Sequence, residues 1–269
     1  MPMLDRGDCS LFYDVHDLTP PWVENAATIV FHHGVGINAD IWIEWLPALA
    51  GRYRIVRFDT RGFGSSTAPG KGYPWSLDML VEDVIAVAGA AGVEQFHLVG
   101  ESLGGTVAMA LAAKHPQAVH SLTVCSAAHR GGDIQRVREW REFIGRKGME
   151  AWSDRMMGLR FTEGALPGPV YRWFDRVQGA SSADSVLDLA DLLIGTDISS
   201  ALLEIQAPTL LLAPDGSPFV PVAIPLEIRE RIPNCELQVF AGARHGLACS
   251  HARACSRTLL DFLARHGFG

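Results

Sequence analysis

The five cysteines of this 269-residue chain, Cys9, Cys125, Cys235, Cys249 and Cys255, include no C-x-x-C pair. An odd, scattered set argues against a disulfide framework and for reduced thiols, so a cytoplasmic chain is expected. Basic excess is missing as well: 23 Lys and Arg stand against 30 Asp and Glu, a formal charge of −7. Arg52, Arg54 and Arg57 alternate along one strand, but Asp59 and Arg61 continue it as a solvated rim. Without a basic stripe, no nucleic-acid partner is expected. No run approaches the roughly 18 apolar residues of a membrane span, and the charged opening (Asp5, Arg6, Asp8) excludes a signal-type apolar region. Zinc-ligand spacing, a phosphate loop, repeats and low-complexity segments are all lacking. His32 and His33 are adjacent in a strand, so they point to opposite faces and cannot share one ion. Neither a metal nor a cofactor is expected.

What the chain has is core. Apolar residues make up 48% and charged residues 20%, enough for one large α/β domain, or a core with an insertion. Apolar strand candidates alternate with amphipathic helices. Ala27 to His32, Tyr53 to Phe58, Gln95 to Val99, Val119 to Cys125, Thr209 to Ala213 and Glu236 to Phe240 read as strands. Asp40 to Ala50, Ser76 to Ala91, Thr106 to Ala113 and Arg253 to Arg265 read as helices, and Ser10 to Val15 as an antiparallel edge. That alternation predicts a mostly parallel, doubly wound sheet with helices on both faces.

Residues 130–200 break the rhythm. They read as helices alone, over Ile134 to Arg146, Met149 to Met157, Pro169 to Gln178 and Ser182 to Ile194. Trp140, Trp152, Met156, Met157, Trp173 and Phe174 make the region rich in large apolar side chains. A helical insertion after one strand sits over the sheet's C-terminal edge, where such folds bind ligands. The expected division is therefore a core of 1–129 and 201–269 and a helical cap of 130–200. Most cap aromatics read as cap core, and an apolar cap would support a homodimer.

Chemistry concentrates in Val99-Gly100-Glu101-Ser102-Leu103-Gly104-Gly105, between a strand and a helix. Gly-x-Ser-x-Gly in that setting is the nucleophile-elbow pattern, with the serine on a strained turn and free helix N–H groups behind it. A serine hydroxyl needs a base, oriented in turn by a further group. His245, in Ala241-Gly242-Ala243-Arg244-His245-Gly246, lies between the last strand and the last helix. Of the ten histidines it alone has that placement. His33-Gly34-Val35-Gly36 follows the first buried strand. The amides of Val35 and Leu103 are the natural pair of oxyanion donors, each worth about 2.7–4 kcal/mol in a transition state. Glu101 is expected to point behind the elbow, and Asp59 with Arg61 to form a structural loop pair. His129, Arg130 and Arg160 border the cap and could hold a substrate carboxylate, though a solvent-exposed place is the plainer expectation for each.

With these segments assembled, the chain resembles an α/β-hydrolase from end to end. Phe58-Asp59-Thr60-Arg61-Gly62-Phe63-Gly64-Ser65-Ser66 resembles the D-x-R-G-x-G-x-S loop of that superfamily, beside the oxyanion loop, elbow and histidine loop. Ser126-Ala127-Ala128-His129-Arg130 and Gly148-Met149-Glu150-Ala151 are similar to the 3-oxoadipate enol-lactonase group. The resemblance implies a cofactor-independent serine esterase or lactonase that cleaves an acyl bond of a small organic acid derivative. Amide hydrolysis, carbon–carbon hydrolysis and perhydrolysis remain open on the same triad. So does a ligand-binding module with a disabled site. One departure stands out. Relatives carry the triad acid in a D-P-x-x-P pattern, but here Ser217-Pro218-Phe219-Val220-Pro221 holds serine instead. After the strand that follows the elbow helix, Cys125 to Ala128 offer no carboxylate, and Asp133 stands too far into the cap. Asp215 is therefore the expected acid, with Gly216 giving the loop freedom to bring it to the imidazole. Failing that, Ser217 or a water would orient His245 in a Ser–His dyad.

Overall fold

The computed structural model describes residues 2–269. Eight strands form one sheet: β1 (Met3–Asp5), β2 (Ser10–His16), β3 (Thr28–His32), β4 (Arg54–Phe58), β5 (Phe96–Glu101), β6 (Val119–Cys125), β7 (Thr209–Pro214) and β8 (Cys235–Phe240). Their order is β1-β2-β4-β3-β5-β6-β7-β8. Every pairing from β4 to β8 is parallel, and β2 pairs antiparallel with β1 and β4. The expected mostly parallel sheet is what forms. β3, β5 and β7 are buried along their whole length, which explains why they read as mostly apolar runs rather than alternating ones.

The helices are α1 (Leu46–Leu49), α2 (Leu77–Ala90), α3 (Leu103–Lys114), α4 (Trp140–Arg160), α5 (Gly168–Gly179), α6 (Ala183–Gly195), α7 (Ala223–Arg231), α8 (Leu247–Ser250) and α9 (Ala252–Arg265). They cover both faces of the sheet. Side chains alternate across a strand, so Val30 packs with Leu80 and Val84 of α2 and Val107 of α3. Ile29 and Phe31 of the same strand pack instead with Trp42, Trp45 and, from α9, Leu259 and Phe262. The segment expected as one helix from Asp40 is a 3-10 helix (Ala39–Trp45) leading into α1. Pro47 stands in the first turn of α1, where its missing N–H costs nothing.

Between β6 and β7 the chain leaves the sheet for α4, α5 and α6. Its two ends lie side by side: Gly131 N–H donates to the Thr196 carbonyl at 2.7 Å and Ile198 N–H to that of His129 at 2.9 Å. Two helices were expected over Ile134 to Met157. Short 3-10 turns replace the start of the first, and α4 is two helical stretches that meet at a non-helical Gly148 (φ 80°, ψ 174°), in the expected break between Arg146 and Met149. Trp152 and Trp140 meet edge to face at 5.0 Å inside the insertion. Among the described residues no helix is long and apolar enough to cross a membrane.

Candidate active site

The turn from β5 into α3 forces Ser102 to φ 54° and ψ −117°. A side chain in that region stores strain of about 1–3 kcal/mol, held here because Ser102 N–H donates to the Cys125 carbonyl at 2.9 Å. The flanking glycines are demanded by close approach: a Cβ on Gly100 would meet the Gly104 carbonyl, and one on Gly104 the His32 carbonyl. Backbone cannot give way as a side chain can. The result presents the Ser102 hydroxyl to a small cavity at the C-terminal edge of the sheet, shared with Val35, His245, Arg160 and Trp140.

His245 arrives from the loop between β8 and α8. Its Nε2 lies 3.1 Å from Ser102 Oγ, and its Nδ1 lies 3.1 Å from Ser217 Oγ. The ring is 5% exposed and meets the Phe219 ring edge to face. Burial, and then the nearby Arg160 guanidinium, bring the imidazole down from the usual 6.5 to about 3.

The expected acid does not reach the imidazole. Asp215 follows directly on β7, and its N–H is still tied to the Phe240 carbonyl at 3.2 Å. Its carboxylate turns sideways to accept from Gly242 N–H at 2.7 Å, which closes the turn after β8. Gly216 supplies no swing either, because its N–H donates to the Ala243 carbonyl at 2.9 Å. The chain therefore reaches His245 two residues later, at Ser217. Ser217 Oγ also accepts from Val220 N–H at 3.1 Å and Phe219 N–H at 3.3 Å. The serine that departs from the family pattern stands where that pattern puts its carboxylate.

Arg160, the last residue of α4, is 3% exposed rather than solvated. Its Nη2 donates to the Val35 carbonyl at 3.0 Å, and its own carbonyl accepts from Gly246 N–H at 2.9 Å, beside His245. Its Nε is buried without a partner, as are Trp140 Nε1 and Ser126 Oγ, two more residues of the same cavity. No carboxylate of the described residues stands within 4.0 Å of the guanidinium. Ser126, at φ 52°, and Arg160 carried no sequence signal strong enough to place them here. Glu101 lies behind the elbow as expected, 1% exposed, and burial raises its carboxyl from 4.5 to about 7.

The other candidates serve the scaffold. Asp59 and Arg61 do not pair with each other. Asp59 accepts from the amides of Ala39 (2.8 Å) and Ser65 (2.7 Å), and Arg61 is drawn to Asp83 on α2 by two 2.6 Å bonds. His129 is fully buried, with Nε2 3.5 Å from Glu227 Oε1, and Arg130 binds Asp133 and Glu227. His33 Nε2 accepts from Thr60 N–H at 2.9 Å, a bond of core type. Among the described residues no cluster of His, Cys, Asp or Glu could hold a metal ion.

A sheet of this order, an elbow serine at positive φ and a histidine across from it define a protein class. Residues 27–252 match the alpha/beta hydrolase fold family, and the chain belongs to it. The Aeromonas hydrophila pimeloyl-[acyl-carrier protein] methyl ester esterase is 32% identical over 83% of this chain and 90% of its own length. A Caulobacter segnis protein provisionally named carbamate hydrolase RutD is 27% identical, covering 93% of this chain and 95% of its own. The crystal structure of the enol-lactonase from Burkholderia xenovorans LB400 superposes with a TM-score of 0.89 over 98% of this chain and all of that one. At 23% identity it speaks for the fold. Hydrolysis is the coarse activity that family and relatives support.

Proposed function

We propose that this chain is a cofactor-independent serine hydrolase acting on an ester, lactone or related acyl bond of a small organic acid derivative. The single observation that carries the reading is the 3.1 Å approach of His245 Nε2 to the hydroxyl of Ser102 on its strained elbow. Ser102 attacks the acyl carbon, and His245 takes its proton and passes it to the leaving group. Water then releases the acid from the acyl-enzyme by the same route. The amides of Val35 and Leu103 hold the oxyanion. Val35 lines the cavity, and Leu103 opens α3, where first-turn N–H groups have no intrahelical partner. Arg160 and Trp140 offer unpartnered donors, and the unpartnered Ser126 hydroxyl can donate as well, which suits a substrate carrying a carboxylate besides its acyl group. The helical insertion acts as a cap that excludes bulk water. Five free cysteines fit a reducing compartment.

The test is labelling by a fluorophosphonate probe together with turnover of aryl esters, lactones, amides and dienoic diketones. Ser102→Ala should abolish labelling and lower turnover by a factor on the order of 10⁶. Labelling elsewhere, or near-normal turnover in that variant, overturns the assignment. The lack of a carboxylate behind His245 specifically favours one second reading, a ligand-binding module with a disabled site. An unlabelled wild-type Ser102 would support it.

A further inference from the structure

Ser217 is more than a neutral substitute for a carboxylate, because it can do something a carboxylate cannot. A carboxylate only accepts hydrogen bonds, so it holds the histidine proton on Nδ1 and leaves Nε2 free as a base. A hydroxyl oxygen has two lone pairs and one proton. At Ser217 both lone pairs are engaged, by the N–H groups of Phe219 and Val220. What remains for the 3.1 Å contact with His245 Nδ1 is the hydroxyl proton. Ser217 then donates and Nδ1 accepts. A neutral imidazole that accepts at Nδ1 carries its proton on Nε2, the nitrogen facing Ser102.

Resting on the hydrolase reading above, we propose that Ser217 is a positioning residue that holds the resting His245 in the Nε2–H tautomer, so that the base is switched off until the tautomer exchanges. Exchange moves one proton off Nε2 and one onto Nδ1, leaving the charge unchanged. It requires Oγ to give up one turn bond, and the longer one, from Phe219 N–H at 3.3 Å, is the weaker. Among the described residues Ser217 is the partner of Nδ1, and Asp215, the nearest expected acceptor, is committed to Gly242. Burial keeps the ring neutral, the state in which the choice of tautomer matters.

The direct test is long-range ¹H–¹⁵N correlation on the full ¹⁵N-histidine-labelled chain near pH 7, with His245 assigned by its loss in His245→Gln. The expected spectrum shows Nε2 protonated and Nδ1 unprotonated in the wild type, and the reverse in Ser217→Asp. A wild-type His245 protonated at Nδ1 overturns the proposal, whether or not any substrate is turned over. Kinetics separate this role from simple orientation of the ring. Ser217→Ala removes one neutral donor and should raise kcat on p-nitrophenyl pentanoate about fivefold, whereas an orienting partner would be missed and kcat would fall. Ser217→Asp should raise kcat by about 10² to 10⁴. A fall in Ser217→Ala, or no rise in a Ser217→Asp protein that still labels with fluorophosphonate, overturns the proposal. Failure of the wild type to label at Ser102 strikes the hydrolase reading instead, and leaves the NMR result to judge the tautomer.

Discussion

Glu101 offers a quantitative test of how charge is handled beneath the elbow. Its side chain is 1% exposed, and Oε2 has no hydrogen-bond partner. Burial lifts the carboxyl from 4.5 to about 7, against the opposing pull of Arg160 and the Gly34 amide. A folded-state value above the unfolded one means that the native chain binds this proton more tightly. Stability from this group is complete below pH 4.5 and is lost as the pH rises through 7. At about 1.36 kcal/mol for each tenfold, the loss at pH 8 is about 3 kcal/mol. Glu101→Gln keeps the shape and abolishes the ionisation. It should therefore stabilise the protein by about 3 kcal/mol at pH 8, raising Tm by about 6 °C, and by less than about 1 kcal/mol at pH 4.5. Urea titrations of both proteins at the two pH values measure the difference directly. If Glu101 and Arg160 instead formed a buried ion pair, breaking it would cost about 3–5 kcal/mol. A Glu101→Gln protein less stable than wild type at pH 8 refutes the reasoning.

Two further outcomes follow from the buried groups. His32 and His245 are held to about 3 and His33 and His97 to about 4, in each case chiefly by burial, so the unfolded chain takes up these protons first as the pH falls below 6.5. Their contribution is complete above pH 6.5 and falls by about 5 kcal/mol per pH unit between 6 and 4. Acid unfolding followed by circular dichroism should have its midpoint above pH 4, and a midpoint below pH 3 contradicts this. Arg160→Met should lower the ratio of kcat/KM for mono-p-nitrophenyl glutarate to that for p-nitrophenyl pentanoate by about 10- to 100-fold. An unchanged ratio removes Arg160 from substrate recognition.

The fold was legible because its central strands are buried on both faces and its helices on one, and burial writes period and apolarity into the chain. The elbow was legible for a related reason: Gly100 and Gly104 leave no room for a side chain. Ser102 and His245 therefore came together as their placement at strand ends implied. What stayed hidden depended on short backbone bonds that no residue pattern encodes. Asp215 was misjudged because Gly242 N–H, 27 positions away, captures its carboxylate. Arg160, beyond the helix expected to end at Met157, was expected more plainly in solvent than in the pocket, yet α4 runs on to it and the tie to Gly246 places its side chain in the cavity. Arg61 looked like a partner for Asp59 until α2 supplied Asp83.

The charges around the site favour one half of the reaction over the other. On the proposed mechanism, attack by Ser102 would create an oxyanion and an imidazolium together. A buried guanidinium bonded to the oxyanion loop at Val35 helps the first and opposes the second. Glu101, if ionised behind that loop, would oppose the oxyanion, but burial keeps much of it protonated near neutral pH. Behind His245, where an anion would help most, stands a hydroxyl whose proton already points at the ring. The imidazolium is thus formed with difficulty, at a penalty of about 5 kcal/mol relative to a solvated histidine. A base this weak is, once protonated, a strong acid, and it gives its proton readily to the leaving group. On that mechanism the barrier would therefore be concentrated in the attack step rather than in the collapse of the tetrahedral intermediate. A carboxylate at position 217 would act on that same step, by freeing Nε2 and by stabilising the cation.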